Sequence, residues 1–123
     1  KLMLVYPVID CTMRTLSMKQ FTDTPVWNAV LNRKMWSYYL QENHETSLLD
    51  FSPPQSFPAT YLETAEFDCL RDEGDLFAEM LRASAVPVQY TTTQGTMHGF
   101  DMVQKSKITI EQVENRCQWL KTW

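Results

Sequence analysis

The chain has 123 residues, 44% hydrophobic and 21% charged, and a formal net charge of −4 from 11 Lys and Arg against 15 Asp and Glu. These proportions exclude a disordered chain, and no apolar run reaches the roughly 20 residues of a membrane span. An acidic balance without a basic run argues against nucleic acid or an anionic membrane as partner, and the 3 glycines stand too far apart for a phosphate-cradling loop.

Residues 2–9 (LMLVYPVI) form a nearly continuous apolar run, the pattern of a strand buried on both faces, with Pro7 marking its end. Residues 10–24 are polar and mixed and read as a long connection. Thr24 and Pro25 then supply an N-cap and a first helical proline, and Trp27, Val30, Leu31 and Met35 recur at helical spacing, so a helix is predicted over 25–40. Residues 41–58, with His44, Asp50 and three prolines, read as a surface loop, and His44 there as solvent-exposed. A second strand is predicted over 59–65. Residues 72–85 carry the clearest amphipathic pattern, with Leu76, Phe77, Met80 and Leu81 on one face and Asp72 as the cap. A third strand is predicted over 87–92. Ile110, Val113, Cys117 and Leu120 give one face of a closing helix. Strand, helix, strand, helix, strand, helix is an α/β class: a parallel three-stranded sheet with flanking helices and right-handed crossovers.

In such sheets reactive groups gather past the carboxyl ends of strands. Asp68 follows the second strand and His98 the third, each in a loop before a helix. Adjacent parallel strands would bring the two loops together. A carboxylate beside an imidazole is the acid–base half of a catalytic triad: the carboxylate holds the tautomer while the other ring nitrogen takes a proton from a nucleophile. Each residue also has a plainer reading, His98 as a turn residue and Asp68 as a cap. Asp72 fits the cap better, which leaves Asp68 for chemistry. Asp101, three residues past His98, is the rival partner, and Glu66 and Glu73 are expected to shape the acid loop. Cys11, Cys69 and Cys117 are odd in number and widely spaced without a CxxC pair. That argues against a disulfide framework or a zinc site and fits a reducing compartment, the cytoplasm. Neither a metal nor a cofactor is expected.

The stretch 65–74, AEFDCLRDEG, resembles the acid loop of the hormone-sensitive-lipase-like branch of α/β-hydrolases, roughly AE-x-D-P-L-R-D-E-G, in which the first Asp is the triad acid. Met97-His98-Gly99-Phe100 resembles the same branch's HGF, whose His is the base. Ser52-Pro53 and 58–61 look like that branch's approach to the strand, and Leu4-Val5-Tyr6-Pro7 resembles the strand after its nucleophile region. Cys69 departs from the pattern, standing where the branch usually has proline, and is expected to loosen the loop slightly.

The resemblance implies a carboxylic-ester hydrolase acting on a small, short-chain ester, with Asp68 and His98 as acid and base. It also implies that helix 25–40 borders the acyl pocket, with Trp27, Trp36 and Phe100 as candidate substrate contacts. No serine here has the glycine flanks of a GxSxG elbow, and no HGGG loop occurs. The expectation is therefore the C-terminal part of an α/β-hydrolase fold, opening at Lys1 directly into a strand, with acid and base but no nucleophile, inactive alone. The alternative is a non-catalytic interaction or assembly module. In either case an open apolar edge at the first strand predicts self-association.

Overall fold

The computed structural model describes residues 1–42 and 47–122; the expectation for His44 lies outside the described residues. Three strands, β1 (Leu2–Val5), β2 (Thr60–Phe67) and β3 (Val88–Met97), form one parallel sheet in the order β1-β2-β3. Leu2 pairs with Thr60 and Thr60 with Val88. The central strand is buried from Thr60 to Ala65, as a strand covered on both faces must be.

The helices are α1 (Leu16–Gln20), α2 (Ala29–Leu40), α3 (Arg71–Ala83) and α4 (Lys107–Lys121). α3 lays Phe77, Ala78 and Leu81 on Leu62 of β2, with Ile9 and Val86 completing that core. A second cluster joins Met18, Phe21 and Ala29 to Cys69 and Leu70, tying the α1–α2 segment to the loop after β2.

Several boundaries differ from expectation, each for a local reason. β1 stops at Val5 because Tyr6 takes a positive φ of 48° ahead of Pro7, although Ile9 still reaches the core. The connection 10–24 contains α1, capped by Thr15, whose hydroxyl accepts the Met18 N–H at 3.4 Å. α2 starts four residues later than predicted. Its cap is Asn28, which accepts from Leu31 N at 3.0 Å, whereas the Thr24 hydroxyl donates to the Trp27 carbonyl in a turn. Val30 and Leu31 consequently face solvent while Asn32 is buried. Residues 48–50 form a short 3₁₀ turn within the predicted loop.

Asp72 does not cap α3; Leu70 occupies that position without a side-chain bond. The row Ile110, Val113, Cys117 and Leu120 of α4 points outward. The helix instead turns Thr109, Arg116 and Trp119 toward the sheet, because Arg116 is drawn to the fully buried Glu63 of β2.

The largest departure sits at the top of β3. The strand does not end at Thr92 but continues to Met97 through an irregularity: Ala65 pairs with Thr93, yet two residues later Phe67 pairs with Met97. β3 therefore holds two extra residues opposite Glu66. Gly95 makes this possible by taking a φ of +69°, and its N–H donates to the Glu66 carboxylate at 2.6 Å. The bulge advances the β3 chain so that His98 stands across from Asp68.

Candidate active site

Asp68 leaves the buried end of β2 and is itself only 1% exposed. One carboxylate oxygen, Oδ1, accepts the Leu70 N–H at 3.0 Å, and its carbonyl accepts Arg71 N–H at 3.1 Å, so the side chain closes the turn that starts α3. The other oxygen, Oδ2, lies 2.8 Å from His98 Nδ1. Asp68 thus both closes the turn, which spacing assigns to Asp72, and meets the imidazole.

Asp72 works across the fold instead. Its carboxylate accepts Ser17 N–H at 2.7 Å while its own N–H donates to Ser17 Oγ at 3.1 Å, and Ser17 Oγ donates to the Cys69 carbonyl at 2.8 Å. The Ser17 hydroxyl, buried at the start of α1, therefore satisfies an N-terminal amide of α3 from another element. Where proline would stiffen the loop, these bonds hold Cys69 in place. The Cys69 thiol is pushed up to about 12 by burial and by the adjacent Asp68 charge, so it stays protonated and unreactive.

In the neutral imidazole tautomer that donates Nδ1–H to the Asp68 carboxylate, Nε2 keeps its lone pair. The imidazole is 21% exposed, and among the described residues Nε2 takes no hydrogen bond. Aromatic rings flank it. Tyr6 lies 4.8 Å from it between centroids and Trp27 5.9 Å, the latter tilted by 30°. A ring held by one charge-assisted bond and two aromatic neighbours, with its far nitrogen open, can move a proton at Nε2 without rotating.

The neighbouring acids have other partners. Asp101 pairs with Arg116 at 2.8 Å, which leaves Asp68 as the carboxylate on His98. Glu66 holds the β3 bulge. Glu73, fully buried, accepts Asp10 N–H at 2.6 Å, and burial pushes its carboxyl up to about 8. Its second oxygen, Oε1, makes no hydrogen bond, which is where the proton of a neutral acid belongs.

Beside Trp27 a cleft of about 460 Å³ is lined by Val8, Ile9, Met35, Trp36, Tyr39 and Leu48 among others. Trp27 and Trp36, two of the candidate substrate contacts, thus line this cleft. Phe100, the third, is buried and meets Tyr6 edge-on, 5.9 Å away at 81°, behind the ring that flanks His98. Tyr6, Ser17 and Arg116 were missed by sequence reasoning. Arg116 in particular carries no local signal, because its partners lie 53 and 15 residues away. Among the described residues no helix is long and apolar enough to cross a membrane, and no group of three or more His, Cys, Asp or Glu is placed to hold a metal.

Comparison with known proteins decides the family, since a family model described as alpha/beta hydrolase fold matches residues 1–102. The chain belongs to the α/β-hydrolase fold family. Within it, the chain falls in the hormone-sensitive-lipase-like esterase branch. It is 30% identical to a protein of Acanthamoeba polyphaga mimivirus named for the same fold, covering 97% of this chain and 38% of that one. It is 28% identical to the carboxylesterase NlhH of Mycobacterium tuberculosis, over 80% of this chain and 33% of the esterase. Among solved structures, a bacterial heroin esterase superposes with a TM-score of 0.83 at 31% identity, covering 92% of this chain and 39% of that one. The esterase LipW of Mycobacterium marinum superposes with a TM-score of 0.89 at 24% identity, over 96% and 38%, which speaks for the fold alone. The 123 residues thus span a little over a third of the length of these relatives.

Proposed function

We propose that Asp68 and His98 are the acid and base of a serine carboxylic-ester hydrolase of which these 123 residues are the C-terminal part. The Asp68–His98 hydrogen bond at the ends of adjacent parallel strands carries this reading. The serine nucleophile and oxyanion donors would come from outside the 123 residues. Among the described serines, Ser17, Ser47 and Ser106 serve as hydrogen-bonding caps, and none bonds His98.

In the reaction, His98 Nε2 removes the proton from the serine hydroxyl as its oxygen attacks the ester carbonyl. It then hands that proton to the departing alkoxide, leaving an acyl-enzyme. Water attacks the acyl group in the second half, again deprotonated by Nε2, and serine leaves with the proton. Asp68 keeps Nδ1–H in place and stabilises the imidazolium at each stage. The cleft beside Trp27 and Trp36 suits the apolar part of a small, short-chain ester, and a reducing cytoplasm suits the three thiols.

The test is Asp68→Asn in the longer protein that carries this chain. Turnover of a short nitrophenyl ester should fall on the order of 10⁴-fold, as for a triad acid; a loss of only a few-fold would refute the assignment. The isolated 123-residue chain should show no serine-dependent turnover, because the covalent step has no nucleophile. A GxSxG in the reading frame upstream of Lys1 is expected.

A second reading, an assembly module, is favoured by two surfaces. β1 is an edge strand with half-buried apolar side chains, and α4 turns Ile110, Val113 and Leu120 to solvent. Exposed strand edges pair with second copies, so light scattering of the 123-residue chain should find a dimer. A monomer across a wide concentration range excludes this reading.

A further inference from the structure

Outside the Asp68–His98 pair, two carboxylates from different elements meet on one residue of α4. Arg116, 14% exposed, forks onto the fully buried Glu63: Nε lies 3.0 Å from Oε2 and Nη2 2.8 Å from Oε1. Its remaining arm, Nη1, reaches Asp101 Oδ2 at 2.8 Å. Tyr61 donates its hydroxyl to Glu63 Oε2 at 2.9 Å, completing that carboxylate. Glu63 stands on β2, five residues before Asp68, and Asp101 lies three residues past His98. One guanidinium therefore joins the strand that delivers the acid to the loop that delivers the imidazole. Arg116 also lies beyond residue 102, where the family match ends.

A mere surface ion pair would not explain this arrangement. A guanidinium presents a planar fork that can bind one carboxylate bidentately and still offer donors to a second, which an ammonium does not. Glu63 is deep enough that its charge requires such a partner. Asp101 is the part with consequence for His98, because it sits on the short 3₁₀ turn that directly follows the imidazole.

The groups facing His98 are Asp68 from the β2–α3 turn, Tyr6 after β1 and Trp27 before α2. We propose that Arg116 is a positioning residue: by binding Glu63 and Asp101 together it locks the His98 loop against β2 and so keeps Nδ1 on Asp68. Its bearing on catalysis rests on the acid–base reading above, but the lock is a statement about a hydrogen bond and can be read without turnover.

The experiment is proton and ¹⁵N NMR of the imidazole Nδ1–H in the 123-residue chain, which has two histidines. A His44→Gln variant assigns the His98 signal. The first variant pairs Glu63→Gln with Arg116→Gln, which removes the fork without leaving a buried carboxylate unpaired. The His98 Nδ1–H signal should shift and exchange with water at least roughly tenfold faster, as a locally opened site does. The β2 and α3 amides should keep their protection in that variant, which simple loosening of the fold would not allow. Should the double variant fail to fold, Arg116→Lys, which retains the charge but not the fork, is expected to weaken the same signal while the β2 and α3 amides stay dispersed. An unmoved His98 signal in either folded variant overturns the proposal, and so does an equal loss of protection across β2 and α3. Loss of ester hydrolysis on Asp68→Asn bears only on the reading of function.

Discussion

Gly74, in the first turns of α3, offers a sharp test of how the acid loop is seated. A Cβ built there would stand 2.5 Å from Thr64 Cγ2 and 3.5 Å from Leu62 Cδ2. Real Cβ atoms do not approach that closely, so Gly74→Ala must either lift α3 from β2 or rotate Thr64. Rotation is obstructed because the Thr64 hydroxyl shares bonds with Tyr90 at 3.1 Å and Thr92 at 3.0 Å. Overpacking of this kind costs about 1–3 kcal/mol, whereas alanine gains about 1 kcal/mol over glycine within a helix. The net expectation is a loss of up to roughly 2 kcal/mol, or up to about 8 °C in melting temperature for a chain of this length. Thr64→Ser removes the obstructing methyl and keeps the hydroxyl, losing about 0.8 kcal/mol alone. In Gly74→Ala/Thr64→Ser the clash is gone and the helix gain remains, so the double variant should be at least as stable as Thr64→Ser. Urea unfolding of the four proteins gives the coupling directly, expected at about 1–3 kcal/mol. A coupling below about 0.5 kcal/mol would refute the packing argument.

Glu73 sets a pH dependence of stability. Its folded carboxyl is raised to about 8 from an ordinary 4.5, so the folded state keeps a proton that the unfolded state releases. Stability from this group is full below about 4.5 and declines as pH rises toward 8. Urea midpoints should fall across that window, and Glu73→Gln should flatten the decline; an equally steep slope in the variant would refute the assignment. Ser17→Ala removes both the bond to Cys69 and the one from Asp72, and should lower stability by about 2 kcal/mol in the same assay; a change within about 0.5 kcal/mol would show the clip to be dispensable. With a thiol reagent, exposed Cys117 should react at once and buried Cys11 and Cys69 only on unfolding; fast labelling of a second thiol in folded protein would contradict the packing of the acid loop.

The strands and the Asp68 and His98 loops were legible because their signals are local. Unbroken apolar runs mark buried strands, and residues just past strand ends are where an open α/β sheet gathers its reactive groups. The errors share one cause, which is that side chains were read against their own segment. Asp72 looks like a cap for α3 from spacing alone, yet its carboxylate turns to Ser17, 55 residues away, and Asp68 closes the turn. The apolar row of α4 looks like its packed face, but one buried carboxylate on β2 rotates Arg116 inward and that row outward. The charge pattern does not reveal this, since Arg116 reads like any exposed helical arginine until Glu63 is known to be buried.

The bulge in β3 shows why the site needed both kinds of information. Gly95 suggested a loop, and the sequence placed His98 beyond it correctly, but a loop would leave the imidazole free to sample many positions. In the structure the segment stays in the sheet to Met97, with two extra residues absorbed opposite Glu66 and Phe67 re-paired beyond them. His98 is therefore mounted on a strand end, one residue past its last pairing, just as Asp68 is one residue past the end of β2. Two side chains each a single residue from paired backbone have little freedom to separate, and this brings them to the 2.8 Å contact. What the backbone leaves open is the seating of the turn after His98, where Asp101 is tied through Arg116 to Glu63 of β2. Register brings the carboxylate and the imidazole together, and the charge network ties the segment beyond the imidazole back to the same strand.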